Sequence, residues 1–301
     1  MAKTSPPRDP VTVVIPVHNA ADRLEKVVPQ WADTLARYGR EYEILVVNDG
    51  STDATATVIE KLAGRVKHFR SLKHEMRQGF GACLRTALAE THHPLFFYTA
   101  PDYPYSPSDI RPMLERIEVR DEVFGKQADL ISGCRVGPDA PFLVRLLGKS
   151  WRLFWRIALG LPMQPGPSWL GWREYVYGTF VGWVFGVPLA DVNSAFKLYR
   201  TSFLKRFPIQ SNGDFVHTEL VAKATFLTSI MDELPLTPKP EPVPICDSTG
   251  MRRVFVNPDF GTPSTPQTPQ PEATPQAVVP DARDLGSSGS PPVQLSFVPI
   301  T

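Results

Sequence analysis

Asp49, Asp102 and Arg135 are the side chains in this sequence that combine ionic chemistry with a shared kind of position. Each closes a short apolar run: Ile44-Leu45-Val46-Val47 leads into Asn48-Asp49-Gly50-Ser51, Leu95-Phe96-Phe97-Tyr98 into Thr99-Ala100-Pro101-Asp102, and Leu130-Ile131-Ser132-Gly133 into Cys134-Arg135. Runs of this length read as strands buried on both faces. Open α/β sheets bind their ligands beyond the carboxyl ends of such strands. Two carboxylates and a guanidinium gathered on one sheet edge form a ligand site despite their separation along the chain. The plainer reading stands beside it: Asp49 and Asp53 also suit the capping of a turn and of the helix that follows. Gly79 and Gly81 precede a helix starting at Ala82. They would let backbone approach a phosphate, although glycines there are also ordinary turn chemistry. His18, His74 and His217 lack the spacing of a tight metal site and read as surface or pocket-wall residues.

The elements that must position these groups alternate along the chain. Val11 to Ile15 is a strand halted by Pro16. Asn19 is placed to cap a helix through about Arg37, with Leu24, Val28, Trp31 and Leu35 on one face. The strand ending at Asp49 follows, then a helix carrying Val58, Ile59 and Leu62. Val66 to Leu72 is expected as a third strand, and Ala82 to Glu90 as the helix after it. Strands at 94–98 and 129–133 flank a helix beginning at Ser108 or Asp109. Alternation of this kind over residues 11–135 predicts an α/β fold with a mostly parallel, Rossmann-like sheet flanked by helices. Further on, Asp191 to Arg200 is a loop entering a short strand, Phe215 to Leu227 is helical, and Ile230 to Leu236 is the last strand.

The chain has 301 residues, 42% of them hydrophobic, enough to bury a sizeable core. Lys and Arg number 32 against 31 Asp and Glu, so no electrostatic case exists for nucleic acid as a partner. Cys83, Cys134 and Cys246 are far apart, which argues against a disulfide framework and for a reducing compartment. Residues 1–9 form a polar, flexible N-terminus without a signal-peptide core, and no uncharged apolar stretch is long enough to span a bilayer. The expectation is a cytoplasmic protein without a transmembrane helix. Residues 141–190 mix basic and aromatic side chains (Arg145, Lys149, Arg152 and Arg156 among Leu147, Trp151, Phe154 and Trp155), a composition that suits a bilayer interface and equally an amphipathic helix pair covering a sheet. Prolines accumulate beyond Pro238; residues 241–261 read as extended, and the Pro/Thr/Gln/Ser-rich stretch 262–301 as a disordered tail.

Taken together, residues 10–236, within a domain expected over 10–240, resemble the family 2 glycosyltransferases of the GT-A fold, and within them the dolichyl- and polyprenyl-phosphate mannosyl- and glucosyltransferases. The resemblance is carried by Val13-Val14-Ile15-Pro16-Val17-His18-Asn19, by Ile44 to Asp53, by Arg77-Gln78-Gly79-Phe80-Gly81, by Asp102 to Asp109 and by Gly133-Cys134-Arg135. It continues with Asp191-Val192-Asn193-Ser194-Ala195-Phe196-Lys197 and closes with Ser211 to Glu219. It implies that Pro16, His18 and Asn19 line a nucleotide pocket, that Asp49 hydrogen-bonds the base, and that Gly79 packs beneath the nucleotide. It implies Asp102 as the second carboxylate of an Asp-x-Asp motif holding Mg²⁺ or Mn²⁺. Arg135 would meet phosphate charge, with Asn193, Ser194 and Arg200 on the acceptor side and Arg252 and Arg253 as looser candidates. The departures are Ala100 where the first carboxylate of that motif stands, Pro104 where a Gln is common, Ala20 in place of a Glu, and Asn48 in place of an Asp.

The function this implies is metal-dependent, inverting transfer of a sugar from a nucleotide sugar to a polyprenyl phosphate, with the enzyme peripheral on the cytoplasmic face of a membrane. Two alternatives stay open. The acceptor is a soluble glycan or a protein, or the chain binds nucleotide sugars without turnover, which Ala100 favours.

Overall fold

The computed structural model describes residues 8–102, 105–120, 125–135, 172–189 and 191–236, together with 254, 256 and 258–261. The first part of the amphipathic 141–190 segment, Arg252 and Arg253, most of 241–261 and the 262–301 tail lie outside the described residues. Strands β1 (Val11–Val17), β2 (Tyr42–Asp49), β3 (Phe69–His74), β4 (Leu95–Tyr98), β5 (Leu130–Arg135), β6 (Lys197–Arg200) and β7 (Met231–Leu236) build one seven-stranded sheet in the order β3-β2-β1-β4-β6-β5-β7. The helices are α1 (Ala21–Arg37), α2 (Thr55–Ala63), α3 (Phe80–Glu90), α4 (Ile110–Glu118), α5 (Trp172–Phe185), α6 (Thr201–Leu204) and α7 (Val216–Phe226).

The mostly parallel α/β sheet read from the sequence is present. Pairs β1–β2, β1–β4, β2–β3 and β5–β7 are parallel, and β6 alone runs against both of its neighbours. The other strands therefore share one direction and end on one edge. β6 begins on that edge, with Lys197 beside Tyr98, and ends on the opposite one, with Arg200 beside Leu95. That reversal decides where the residues on either side of it go.

Several boundaries differ from the sequence reading. β1 is not halted by Pro16 but runs to Val17, because its register against β2 continues to Asn48, β3 starts at Phe69 rather than Val66, and α3 opens at Phe80 rather than Ala82. β3 runs to His74 rather than Leu72, because its register against β2 continues as far as Asp49 opposite His74. Asn19 does not cap α1: Ala20 is the residue before the first turn and offers no side-chain cap, while Asn19 sits at φ 50° and accepts the Thr52 amide at 2.8 Å. Asn and Asp tolerate that left-handed backbone better than most side chains.

The core lies on both faces of the sheet. Val13 to Ile15 and Ile44 to Val47 are fully buried, as expected of strands covered on both sides. On one face Trp31 from α1 meets Phe97 at 5.3 Å and Phe196 at 6.3 Å between ring centroids. α7 is buried through Ala224 and carries a buried ion pair, Glu219–Lys223 at 2.8 Å. The Glu219 carboxylate also accepts the amides of Gln210 and Ser211 at 2.8 Å, and Lys223 donates to the Pro208 carbonyl at 2.7 Å. Buried charges persist when paired and hydrogen-bonded in this way, and here they fix the loop 208–213 against α7.

Trp31→Ala should lower unfolding stability by about 3–5 kcal/mol, since it empties an aromatic cluster that cannot collapse between two layers. Denaturant titration checks this; a loss under about 1 kcal/mol would show that the cluster does not bind α1 to the sheet.

Candidate active site

The site is assembled from the turns at the carboxyl edge of the sheet. Pro16 lies near the end of β1, and His18 and Asn19 follow it. The His18 Nδ1 lies 2.8 Å from the Asp49 carbonyl oxygen. A carbonyl only accepts, so Nδ1 carries the hydrogen. The Asn19 amide donates to Ser51 Oγ at 3.1 Å, and Ala20 donates to Thr55 Oγ1 at 3.0 Å. The turns after β1 and β2 are thus clamped together. Gly50, at φ 61°, is required there, because a Cβ would fall 2.4 Å from the Met76 carbonyl carbon.

Asp49 is the hub. Its Oδ1 accepts from His74 Nδ1 and the Gln78 amide, both at 2.8 Å, and its Oδ2 accepts the Gly79 amide at 2.8 Å. The residue is only 4% exposed. Burial by itself raises this carboxyl, but the His74 hydrogen bond and the two amides outweigh it and hold Asp49 below the usual carboxylate range. His74 Nε2 meets Thr86 Oγ1 at 3.0 Å, which ties the strand end to α3. Cys83 lies close by, 3.9 Å from His74 Nδ1, and burial pushes its thiol up, so it stays protonated. Asp49, His74 and Cys83 place their ligand atoms within 4.8 Å of one another, but carboxylate and imidazole are already hydrogen-bonded to each other inside the core.

The glycines after β3 do not present free amides to a phosphate. Gly81 and Ala82 donate to the Asn212 carbonyl at 2.7 and 3.2 Å, and the Gln78 and Gly79 amides are held by Asp49. The missing side chains serve a close approach instead. A Cβ on Gly79 would lie 2.5 Å from the Asn212 oxygen, and one on Gly81 2.2 Å from the Ser211 oxygen. Gly79 itself sits at φ 99°.

Beyond these turns opens a crevice of ≈ 810 Å³. Pro16, His18 and Asn19 line one part of it, Arg77 and Phe80 another, and Ala100, Asp102 and Asn193 a third. Asp102, one third exposed, is paired with Arg23 from the first turns of α1 at 2.9 Å. Asp22, Asp53 and Asp214 also face the crevice. The Thr55 hydroxyl, opposed slightly by burial, holds Asp53 below the usual carboxylate range, so this acid stays ionised while capping α2. His217 closes the floor beside Tyr98, its Nδ1 3.1 Å from the phenolic oxygen, with Phe80 4.9 Å away between ring centroids.

The structure therefore separates residues that the sequence reading gathers. Pro16, His18, Asn19, Asp102 and Asn193 share the crevice. Asp49 is buried behind its wall, engaged with the 78–79 backbone. Ser194 is buried too, its Oγ accepting the Phe196 amide and its carbonyl accepting from the Lys197 ammonium. Arg200 is a correction: because β6 is antiparallel, it lies on the opposite edge, bonded to the Ala128 and Ile117 carbonyls and to Gln127. It cannot meet a ligand in the crevice. Arg135 ends β5 on the crevice edge, opposite Leu236. Asp22, Arg23 and Asp214 were missed as site residues. The first two were traceable, since the opening turn of a helix after a parallel strand must sit at that strand's carboxyl end.

Comparison with known proteins finds a match over much of the part of the chain that builds this edge. The sequence model described as Glycosyl transferase family 2 matches residues 12–141. Within those residues the chain is similar to family 2 glycosyltransferases. Relatives with assigned names include a dodecaprenyl-phosphate galacturonate synthase of Rhizobium johnstonii, 26% identical over 199 residues, covering 65% of this chain and 49% of the relative. An undecaprenyl-phosphate 4-deoxy-4-formamido-L-arabinose transferase of Klebsiella pneumoniae is 28% identical over 123 residues, covering 40% of this chain and 38% of that one. The chain thus spans about half the length of the first relative and less of the second. Among solved structures, mannosyl-3-phosphoglycerate synthase from Rubrobacter xylanophilus shares the fold, with a TM-score of 0.50 at 16% identity over 78% of this chain and 68% of that one. The family 2 match ends before β6 and α7, so Asn193, Asp214 and His217 lie outside it.

Asp49→Asn should cost about 2–3 kcal/mol, because an amide NH₂ would face backbone donors. The folded-state carboxyl is depressed, so its stabilisation is present above the unfolded value of ~4 and is lost as pH falls through the folded one. Wild-type stability should therefore drop in acid more steeply than that of the variant, measured by denaturant midpoints from pH 6 downward. Parallel pH profiles would contradict this role.

Proposed function

We propose that the protein transfers a sugar from a nucleotide-sugar donor to a polyprenyl phosphate, with inversion at the anomeric carbon and with Mg²⁺ or Mn²⁺ as cofactor. The observation that carries the reading is the crevice at the carboxyl edge of a family 2 glycosyltransferase domain, with the Asp102 carboxylate open to it. Its volume of ≈ 810 Å³ falls in the range of small-ligand sites. The names of both curated relatives support a lipid phosphate as acceptor.

The donor set suits a hard divalent cation: Asp102 offers carboxylate oxygen, and in this structure a cationic guanidinium already rests on it. When bound there, such an ion neutralises charge on the leaving diphosphate. The remaining work falls to the chain itself. Pro16, His18 and Asn19 provide the wall for the nucleotide, and Asp49 acts one layer behind, holding the 76–79 turn in place. Asn193 and Arg135 are assigned to the acceptor phosphate. An acceptor phosphate is already anionic, so its oxygen attacks the anomeric carbon as the bond to the diphosphate breaks, and no strong general base is required. Ala100 removes one carboxylate from the usual pair, which favours a second reading, a nucleotide-sugar binder without turnover.

A cytoplasmic membrane face as the place of action is part of the proposal. It is supported by exposed apolar side chains on α5 and α7: Phe180, Trp183, Val184 and Phe226. No helix among the described residues is long and apolar enough to cross a membrane.

Nucleotide sugars screened against polyprenyl phosphates, with products weighed by mass spectrometry, test the reading. Asp102→Asn should reduce transfer by about 10²–10³-fold with an unchanged circular dichroism spectrum. Undiminished turnover would refute the role of Asp102, and donor binding without any product would favour the binder.

A further inference from the structure

We infer that Arg23 is a donor-phosphate residue that shares Asp102 with the metal: its guanidinium holds the carboxylate when the crevice is empty and moves to the diphosphate when a divalent cation takes its place. The inference rests on the donor reading above and adds a residue to it. Arg23 lies in the first turns of α1, 2.9 Å from Asp102 Oδ2, and both side chains line the crevice. A divalent ion bound to that oxygen would sit about 2.0–2.6 Å from it. Guanidinium and metal therefore compete for the same lone pairs.

Three features make the exchange reasonable. Ala100 supplies no second carboxylate, so the charge at the end of β4 rests on Asp102 and a single cation balances it. The Arg23 side chain is 61% exposed, and exposed ion pairs contribute little, so letting go of Asp102 is cheap. The planar guanidinium forms bidentate contacts with phosphate. It is held at the same mouth as Arg77, and the four crevice carboxylates Asp22, Asp53, Asp102 and Asp214 outnumber the two arginines. A doubly anionic diphosphate entering there needs both the metal and a freed guanidinium.

The claim predicts effects of opposite sign. In Arg23→Gln, Mn²⁺ alone, followed by electron paramagnetic resonance, should bind about threefold to tenfold more tightly than in wild type. In the same variant at saturating Mn²⁺, the nucleoside diphosphate that wild type binds (UDP, GDP and ADP tried in turn by calorimetry) should bind about tenfold more weakly. In an Asp102→Asn background, Arg23→Gln should leave Mn²⁺ binding unmoved, which separates competition from a general change of fold. Mn²⁺ affinity that is unchanged or weakened by Arg23→Gln overturns the inference, as does undiminished diphosphate affinity. If wild type binds none of the three diphosphates, the donor reading fails and takes the phosphate role of Arg23 with it. The Mn²⁺ titration then still decides whether Arg23 competes for Asp102.

Discussion

A buried anion with three short hydrogen bonds holds this site together. Asp49 stands at the end of β2 with 4% exposure, and each of its oxygens is committed to a group from the segment between β3 and α3. An uncompensated carboxylate in that position would be prohibitively unfavourable. Compensation by His74 and two backbone amides turns the same group into a clasp for the turn that carries Arg77 to the crevice. The clasp extends through His74 to Thr86 on α3, and through the Asn212 carbonyl to the loop in front of α7. Part of the front wall is thus hung from one side chain that does not face the ligand space.

The second half of the sheet contributes in a different way. β6 enters from the carboxyl edge, so the loop before it delivers Asn193 to the crevice, while Lys197, fully buried, donates to the Val192 and Ser194 carbonyls and keeps that loop bent. α7 brings His217 and Asp214, and its Glu219–Lys223 pair fixes the adjoining loop from beneath. The family 2 match stops before these elements. Pro16, His18, Asn19 and Asp102 thus lie in the matched part of the chain, while Asn193, Asp214 and His217 are supplied from outside it.

The charges in the crevice bear on how a single carboxylate would serve as the proposed cation ligand. Asp102 is one third exposed and paired with an exposed guanidinium rather than with a buried partner. On the exchange proposed above, the cation would arrive with the ligand's charge, and the arginine would find a new anion in the diphosphate. Asp53, kept ionised at the start of α2, adds negative potential at the rim without entering that exchange.

Much of the architecture was readable because it is local. Buried runs such as Ile44–Val47, the spacing of Leu24, Val28, Trp31 and Leu35, and the alternation of strand and helix all depend on near neighbours, and the strand ends followed from them. By itself the sequence determined that a mostly parallel α/β sheet would form and that the ends of β2, β4 and β5, next to Asp49, Asp102 and Arg135, would fall along one edge. Tertiary structure alone decided the rest. The antiparallel course of β6 sent Arg200 to the far side, the register of β2 with β3 set Asp49 opposite His74, and the approach of Asn212 to Gly81 took the helix amides that a phosphate was expected to use. Those outcomes depend on which distant segments meet and at what register. Residue type and spacing specify that a carboxylate or amide needs a partner, but only the packed chain selects which one it gets.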